Sequence, residues 1–264
     1  MYNPLTNKPE KILREREVSR KAFVRGIPSA ISFELVRVGD SYGIIYEMID
    51  ARTLSQVFQS QPERLEVYAT RMAGLLRKLH QTEFEEGELP DARQVMHMWV
   101  GIAEKSGMYP SEVIAKMRAA IDAIPAGNKF IHGDFHTSNI MVTDDDELVL
   151  IDMGDASMGD PVIDLAFSAQ IMLVMQRNAT ALRQYTSLDP EQMSRVWDSF
   201  IRAYYDTDDD AKIASIERRL RFYAILRTLP GITFSEAIPD EARPALAQQV
   251  TDFFLHEYDY FMGD

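Results

Sequence analysis

In a chain of 264 residues, the segment His132-Gly133-Asp134-Phe135-His136-Thr137-Ser138-Asn139 and the later Asp152 carry the residue types that a phosphoryl-transfer site needs. Asn139 is followed by the apolar run Ile140-Met141-Val142, the turn-like Asp144-Asp145-Asp146, and a second apolar run from Leu148 to Ile151. This is a hairpin pattern. A turn centred between Asp145 and Asp146 sets Asn139 and Asp152 opposite each other at the open end, where opposed Cβ atoms lie roughly 4.5–5.5 Å apart. An amide oxygen and a carboxylate so placed can share the oxygen-seeking Mg²⁺ that accompanies a nucleoside triphosphate. Asp134, five residues before Asn139, then sits on the loop entering the metal site, placed to take a proton from an attacking hydroxyl.

Two other readings compete. His132 as a satisfied buried histidine and Asp144 to Asp146 as a solvated turn account for part of the segment, but not for an Asn and an Asp mirrored at the hairpin base. A metallohydrolase would use His132, Asp134 and His136, which alternate as strand residues do. It needs further ligands, and the other histidines, His80, His97 and His256, are scattered, with no cysteine and no His-Glu-x-x-His.

The composition, 46% hydrophobic and 26% charged, is that of an ordinary globular protein with room for one large domain or two lobes. A formal charge of −13 argues against nonspecific binding to nucleic acid or anionic membranes, and mildly favours a cationic small molecule. No apolar stretch approaches the roughly 20 residues of a membrane span, and the charged N-terminus carries no signal peptide, so a cytoplasmic setting is expected. The absence of cysteine rules out disulfide and thiolate chemistry.

Helical spacing of Ile12, Leu13, Val18, Ala22 and Phe23 predicts a surface helix over 10–25, ended by Gly26-Ile27-Pro28. Strands 32–38 and 42–48 flank the turn signal Gly39-Asp40-Ser41. Beyond Asp50 the sequence predicts mostly helix apart from the catalytic hairpin. An amphipathic helix is expected over 64–80, from Leu65, Tyr68, Met72, Leu75, Leu76 and Leu79. Others fall near 111–123, 162–176, 191–205, 211–228 and 240–261, bounded by Pro110, Pro125, Pro161, Pro190, Pro230 and Pro239. Met153, Met158, Met172 and Met175 read as core fillers, and Asp206 to Asp210 as an exposed loop. In Gly159-Asp160-Pro161, Asp160 reads as an N-cap with Pro161 in the first turn.

With these motifs, the chain resembles the aminoglycoside phosphotransferase family, small-molecule kinases related in fold to protein kinases and choline kinase. The resemblance spans nearly the whole chain. It is carried by Arg14-Glu15-Arg16-Glu17, Gly26-Ile27-Pro28, Tyr42 to Glu47, Leu76-Arg77-Lys78-Leu79-His80, the His132 to Asn139 loop, Ile151 to Asp155, Gly159-Asp160-Pro161 and Asp164-Leu165-Ala166. It implies an α+β, protein-kinase-like, two-lobed fold, with a partial N-terminal lobe at 1–49 and a largely helical lobe at 50–264. By the same resemblance Asp134 is the catalytic base, Asn139 and Asp152 are the Mg²⁺ ligands, and Glu47, Met48 and Ile49 form the linker that grips the purine of ATP or GTP. His132, Asp160 and Asp164 support the catalytic loop. The acceptor, a hydroxyl-bearing small molecule, is expected against C-terminal helices, with Asp198, Tyr204, Asp252, Glu257, Tyr258 and Asp259 as candidates, although most of these also fit a solvated helix face.

The N-terminus departs from the pattern. Kinases of this fold open with three strands, a glycine-rich loop over the phosphates and a strand lysine that pairs with a helix glutamate, here Glu17. The resemblance places that lysine at or before Met1, and no Gly-x-Gly-x-x-Gly occurs in the chain. A lone two-stranded hairpin is marginally stable and keeps an unpaired edge and an uncovered apolar face. Three expectations follow: an upstream start, a second subunit covering the sheet as a homodimer, or a chain that has lost the nucleotide lid and become a binding protein. The first is preferred, because Asp134, Asn139 and Asp152 all remain.

Overall fold

The computed structural model describes residues 9–236 and 238–263. It is a mixed α+β, protein-kinase-like structure: short strands at the front and a helical body behind. Helix α1 (Pro9–Val24) buries Ile12, Glu15, Val18, Ser19 and Ala22, one stripe at steps of three and four. Its end is a Schellman motif. Ile27 N–H reaches the Ala22 carbonyl, Gly26 N–H reaches that of Phe23, and Gly26 takes φ +77°.

Strands β1 (Ser32–Val38) and β2 (Ser41–Tyr46) pair antiparallel, with Val38 opposite Ser41 and an irregularity between Ser32 and Leu35. The two-residue loop puts Gly39 at φ +61°, a conformation that suits glycine at a tight hairpin. A linker then reaches β3 (Ala51–Thr53), which pairs with β5. Next come α2 (Leu54–Ser60), opened by a Thr53/Gln56 capping box, α3 (Leu65–Leu79), α4 (Ala92–Ser106) and α5 (Ser111–Asp122).

Strand β4 (Lys129–Ile131) leads into the His132–Asn139 segment, which is followed by β5 (Ile140–Thr143) and β6 (Leu148–Leu150). Strand β7 (Ser157–Gly159) returns to pair with β4. The sheets are therefore β1-β2, β3-β5-β6 and β4-β7. The segment before β1 is laced to β6, since Leu150 donates to the Pro28 carbonyl and accepts from Ala30. The rest is helical: α6 (Pro161–Ala169), α7 (Ala179–Thr186), α8 (Pro190–Tyr205), α9 (Asp210–Ala224), α10 (Thr228–Phe234) and α11 (Arg243–Met262). Packing of α3 on α8 and α6 on α9 encloses one continuous core.

Four sequence expectations are corrected. Beyond Asp50 the chain is mostly helical as expected, but sheet is not confined to the catalytic hairpin, because β3, β4 and β7 each supply three residues. The helix expected over 162–176 ends at Ala169 and continues as a π turn, Gln170–Val174, and a 3₁₀ turn, Met175–Arg177. Pro230 does not stop the helix before it. A 3₁₀ turn at Ile225–Arg227 breaks the run, and Pro230 lies in the first turn of α10, where its missing N–H costs nothing.

The fourth correction is the register of the catalytic hairpin. Ile140 pairs with Leu150 and Val142 with Leu148, and the Ile151 N–H donates to the Asn139 carbonyl at 3.1 Å. Asn139 therefore opposes Ile151, and Asp152 lies one residue beyond. The cause is the turn. Asp146 adopts φ +65°, closing a three-residue loop between Thr143 and Glu147, so the centre falls on Asp145. The turn is half exposed at Asp146, where the carboxylate also takes Arg64 at 3.0 Å, Arg71 at 2.9 Å and the Tyr68 hydroxyl.

Candidate active site

The loop after β4 hangs from one buried carboxylate. Asp164, fully buried on α6, accepts from the backbone N–H of His132 at 2.8 Å and of Gly133 at 3.0 Å. Its other contact is His80 Nε2 at 3.2 Å, whose Nδ1 meets the Tyr204 hydroxyl at 2.7 Å. Burial alone would neutralise Asp164, but His80 and the loop amides hold its carboxyl below the usual range. Gly133 is required here, with φ +80° and no room for a Cβ beside the Asp155 carbonyl. His132 Nδ1 accepts from the Asp134 N–H at 3.3 Å, and burial lowers its pKa, so the ring is neutral. Asp160 caps α6 through the Val162 N–H at 2.8 Å.

At the front of this loop stands Asp134. The Asn139 side-chain amide donates both to its backbone carbonyl, at 2.9 Å, and to its Oδ2, at 3.0 Å. His136 Nε2 lies 3.5 Å from the same oxygen. Arg227, 93 residues away in sequence, donates Nη2 to Oδ1 at 2.5 Å and Nη1 to the Gly133 carbonyl. Burial works against the charge on Asp134, but His136 and the Arg227 guanidinium outweigh it and hold the carboxyl down at about 2. Asp134 is thus ionised at neutral pH, an acceptor aimed by its neighbours.

Because the Asn139 amide nitrogen is spent on Asp134, its Oδ1 has no hydrogen-bond partner among the described residues. Asp152 follows at φ +60°, exposed, with only the Gly154 N–H at 3.4 Å on its Oδ1. These two hard oxygen donors fit a Mg²⁺ ion, which takes one or two protein ligands and completes its shell with phosphate and water. No group of three His, Cys, Asp or Glu arranged to hold a metal exists among the described residues, and the Nδ1 of His132 is turned back onto the loop.

Beside Asp152 opens a cavity of about 440 Å³. Tyr46, Glu47 and Ile49 reach it from the linker, Met141, Leu150 and Ile151 from the hairpin, and Glu15 from α1. Met48 points away and is 95% exposed, so the linker alternates. The buried Ser29 hydroxyl on the cavity wall has no hydrogen-bond partner among the described residues, which suits a ligand with polar edges.

Glu17 does not reach this cavity. It is exposed and paired with Lys21 at 2.8 Å, while Glu15, two residues earlier, is buried and accepts from the Tyr46 hydroxyl at 3.0 Å. Burial pushes the Tyr46 hydroxyl well above the ordinary phenol value, so it remains a donor. Glu15 was visible in the sequence, since it falls within the apolar stripe of α1 and Glu17 does not.

The expected acceptor residues are not gathered either. Tyr204 serves the His80–Asp164 support, Asp198 pairs with Arg202 at 2.8 Å, Asp252 accepts from Gln248 at 2.7 Å, and Glu257 is held by Arg218 at 2.6 Å. Tyr258 packs on Phe254, and Asp259 offers its carbonyl to Gly263. Glu257 and Tyr258 face α9 and α5, through Arg218 and Lys116, whereas Asp252 and Asp259 are exposed. Arg227 had no local sequence signal.

A loop carrying Asp134, with Asn139 and Asp152 beyond it and a cavity against the segment after β2, fits a protein of the kinase-like fold class. Residues 2–196 match the profile of the phosphotransferase enzyme family, and the chain belongs to that family. Among solved structures, a Plasmodium vivax ethanolamine kinase is 16% identical, with 96% of this chain and 74% of that one covered and a TM-score of 0.57. An aminoglycoside-3'-phosphotransferase of type VIII is 19% identical, with 80% and 79% covered and a TM-score of 0.55. The ADP-bound aminoglycoside phosphotransferase APH(2'')-Ib is 16% identical, with 93% and 83% covered and a TM-score of 0.56. At these identities the likeness is one of fold. No curated protein matches the chain by sequence.

Proposed function

We propose that this chain transfers the γ-phosphoryl group of ATP or GTP to a hydroxyl of a small molecule, in the cytoplasm. The observation that carries the reading is the pair of hydrogen bonds that the Asn139 side-chain amide donates to Asp134, which couples the base to a residue whose remaining oxygen would serve as a metal ligand. Asn139 and Asp152 would hold Mg²⁺, whose charge, when bound, offsets that of the phosphates. The cavity at Glu47 and Ile49 takes the purine.

Asp134 accepts a hydrogen bond from the acceptor hydroxyl, orients its oxygen and receives its proton as the bond to phosphorus forms. The bond between the γ-phosphorus and the β,γ-bridging oxygen breaks, and its electron pair leaves with the nucleoside diphosphate. A carboxylate held near 2 is a weak base, which suits a loose transition state in which positioning outweighs proton abstraction.

Radiolabelled-ATP transfer to a panel of hydroxyl metabolites tests the reading: Asp134→Asn should lower turnover by about 10²–10⁴ and spare nucleotide binding. Equal turnover would remove Asp134 from that role. One observation favours a second reading, a nucleotide-binding protein without transfer: the Tyr46 hydroxyl occupies the carboxylate of Glu15, the partner a strand lysine would take. Nucleotide binding without any transfer would select it. A homodimer over the β1-β2 sheet rests on Phe33 and Ile45, 49% and 46% exposed, and a monomer in sedimentation equilibrium would refute it.

A further inference from the structure

The chain is strongly acidic, with a formal charge of −13, yet the group that stands against its candidate base is a cation. Arg227 is fixed from three sides. Its Nη2 meets Asp134 Oδ1 at 2.5 Å, its Nη1 meets the Gly133 carbonyl, and its guanidinium lies 5.1 Å from the Phe167 ring centroid. The side chain is only 18% exposed. What aims it is the helix break, where the 3₁₀ turn at Ile225–Arg227 interrupts the run from α9 to α10.

A guanidinium has five N–H donors in a planar fork. Two are used, and the others have no protein partner among the described residues. An acceptor whose hydroxyl meets Asp134 must bring its neighbouring atoms against this fork. An ammonium there has no lone pair to offer the remaining N–H donors, whereas a carboxylate or phosphate gains a charge-assisted contact. Of the candidate acids, Asp198 is occupied by Arg202 and Glu257 by Arg218.

We infer that Arg227 is a specificity-determining residue, selecting an acceptor that carries an anionic oxygen group, carboxylate or phosphate, a few bonds from the hydroxyl to be phosphorylated. This rests on the phosphotransferase reading above. It reverses the mild preference for a cationic molecule that net charge alone suggested, because local charge at the reacting atoms outweighs a screened global field.

The test measures phosphoryl transfer from ATP to four probes: 3-hydroxypropanoate, glycerol 3-phosphate, ethanolamine and propane-1,3-diol. The wild type should favour at least one anionic probe over ethanolamine and the diol by tenfold or more in kcat/KM. Whichever anion leads identifies carboxylate or phosphate as the recognised group. In Arg227→Gln that preference should fall at least tenfold, mainly through KM, while Arg227→Lys, which keeps the charge, should retain part of it. Preference for ethanolamine or the diol, or an unchanged order in Arg227→Gln, overturns the inference. So does transfer to none of the probes by a protein that binds Mg²⁺-ATP, whereas failure to bind nucleotide at all overturns the phosphotransferase reading beneath it.

Discussion

At the turn of the β5–β6 hairpin Asp146 has φ +65°, and just past its open end Asp152 has φ +60°, yet the surroundings of the two aspartates differ. Asp146 is met by Arg64, Arg71 and Tyr68, so side-chain contacts offset a left-handed conformation that costs about 1–3 kcal/mol. Asp152 is exposed and, among the described residues, hydrogen-bonds only a backbone N–H at 3.4 Å. The two other non-glycine residues with positive φ among those described, Ser187 and Asp206, close helices α7 and α8. Asp152 is therefore the one whose strain the protein does not visibly use. An outlier of that kind, at the mouth of a cavity, points to a ligand that completes it.

The contrast between carboxylates tied into the fold and carboxylates left for a ligand can be broken by substitution. Asp164 belongs to the tied class in the extreme. Asp164→Asn should lose about 3–5 kcal/mol, as expected when a buried charge network is broken, and calorimetry should show melting lowered by roughly 10 °C. A melting point unchanged within 2 °C would mean the loop does not hang from this residue.

Asp146→Ala should cost less, about 1 kcal/mol, because its ion pairs are half exposed and screened by water. Its folded carboxyl lies below the ordinary 3.8, first through the Tyr68 hydroxyl and then through Arg71 and Arg64. A depressed folded pKa gives stability that is complete above the unfolded value and lost as pH falls through the folded one. The gap between wild type and Asp146→Ala should thus be full at pH 7 and shrink below pH 4. A gap that grows on acidification would reverse the sign and the assignment. Smallest of all, Glu17→Gln, at an exposed ion pair, should leave the melting temperature and the nucleotide affinity unchanged. Loss of affinity in that variant would return Glu17 to the site in place of Glu15.

Long elements with strong periodicity were legible in the sequence. The α3 stripe from Leu65 to Leu79 and the caps Asp160-Pro161 lie within a residue or two of where periodicity and capping put them. Three-residue strands such as β3, β4 and β7 are too short to show alternation. Helix α4 is bounded in the sequence by Asp91 before it and Gly107 after it, the cap residues the structure shows. The hairpin register turned on one left-handed residue, Asp146, and a half-step in the turn moved Asp152 off Asn139. Tertiary geometry alone brings Arg227 to Asp134 across 93 residues.

On the phosphotransferase reading, Asp152 with Asn139 would hold the metal that brings nucleotide to Asp134. Calorimetric titration of ATP into wild type and Asp152→Ala, with and without Mg²⁺, tests it most directly. Wild-type binding should require Mg²⁺ and the variant should lose that dependence, with melting in the absence of ligand unchanged. Identical Mg²⁺ dependence in the two proteins would contradict the account.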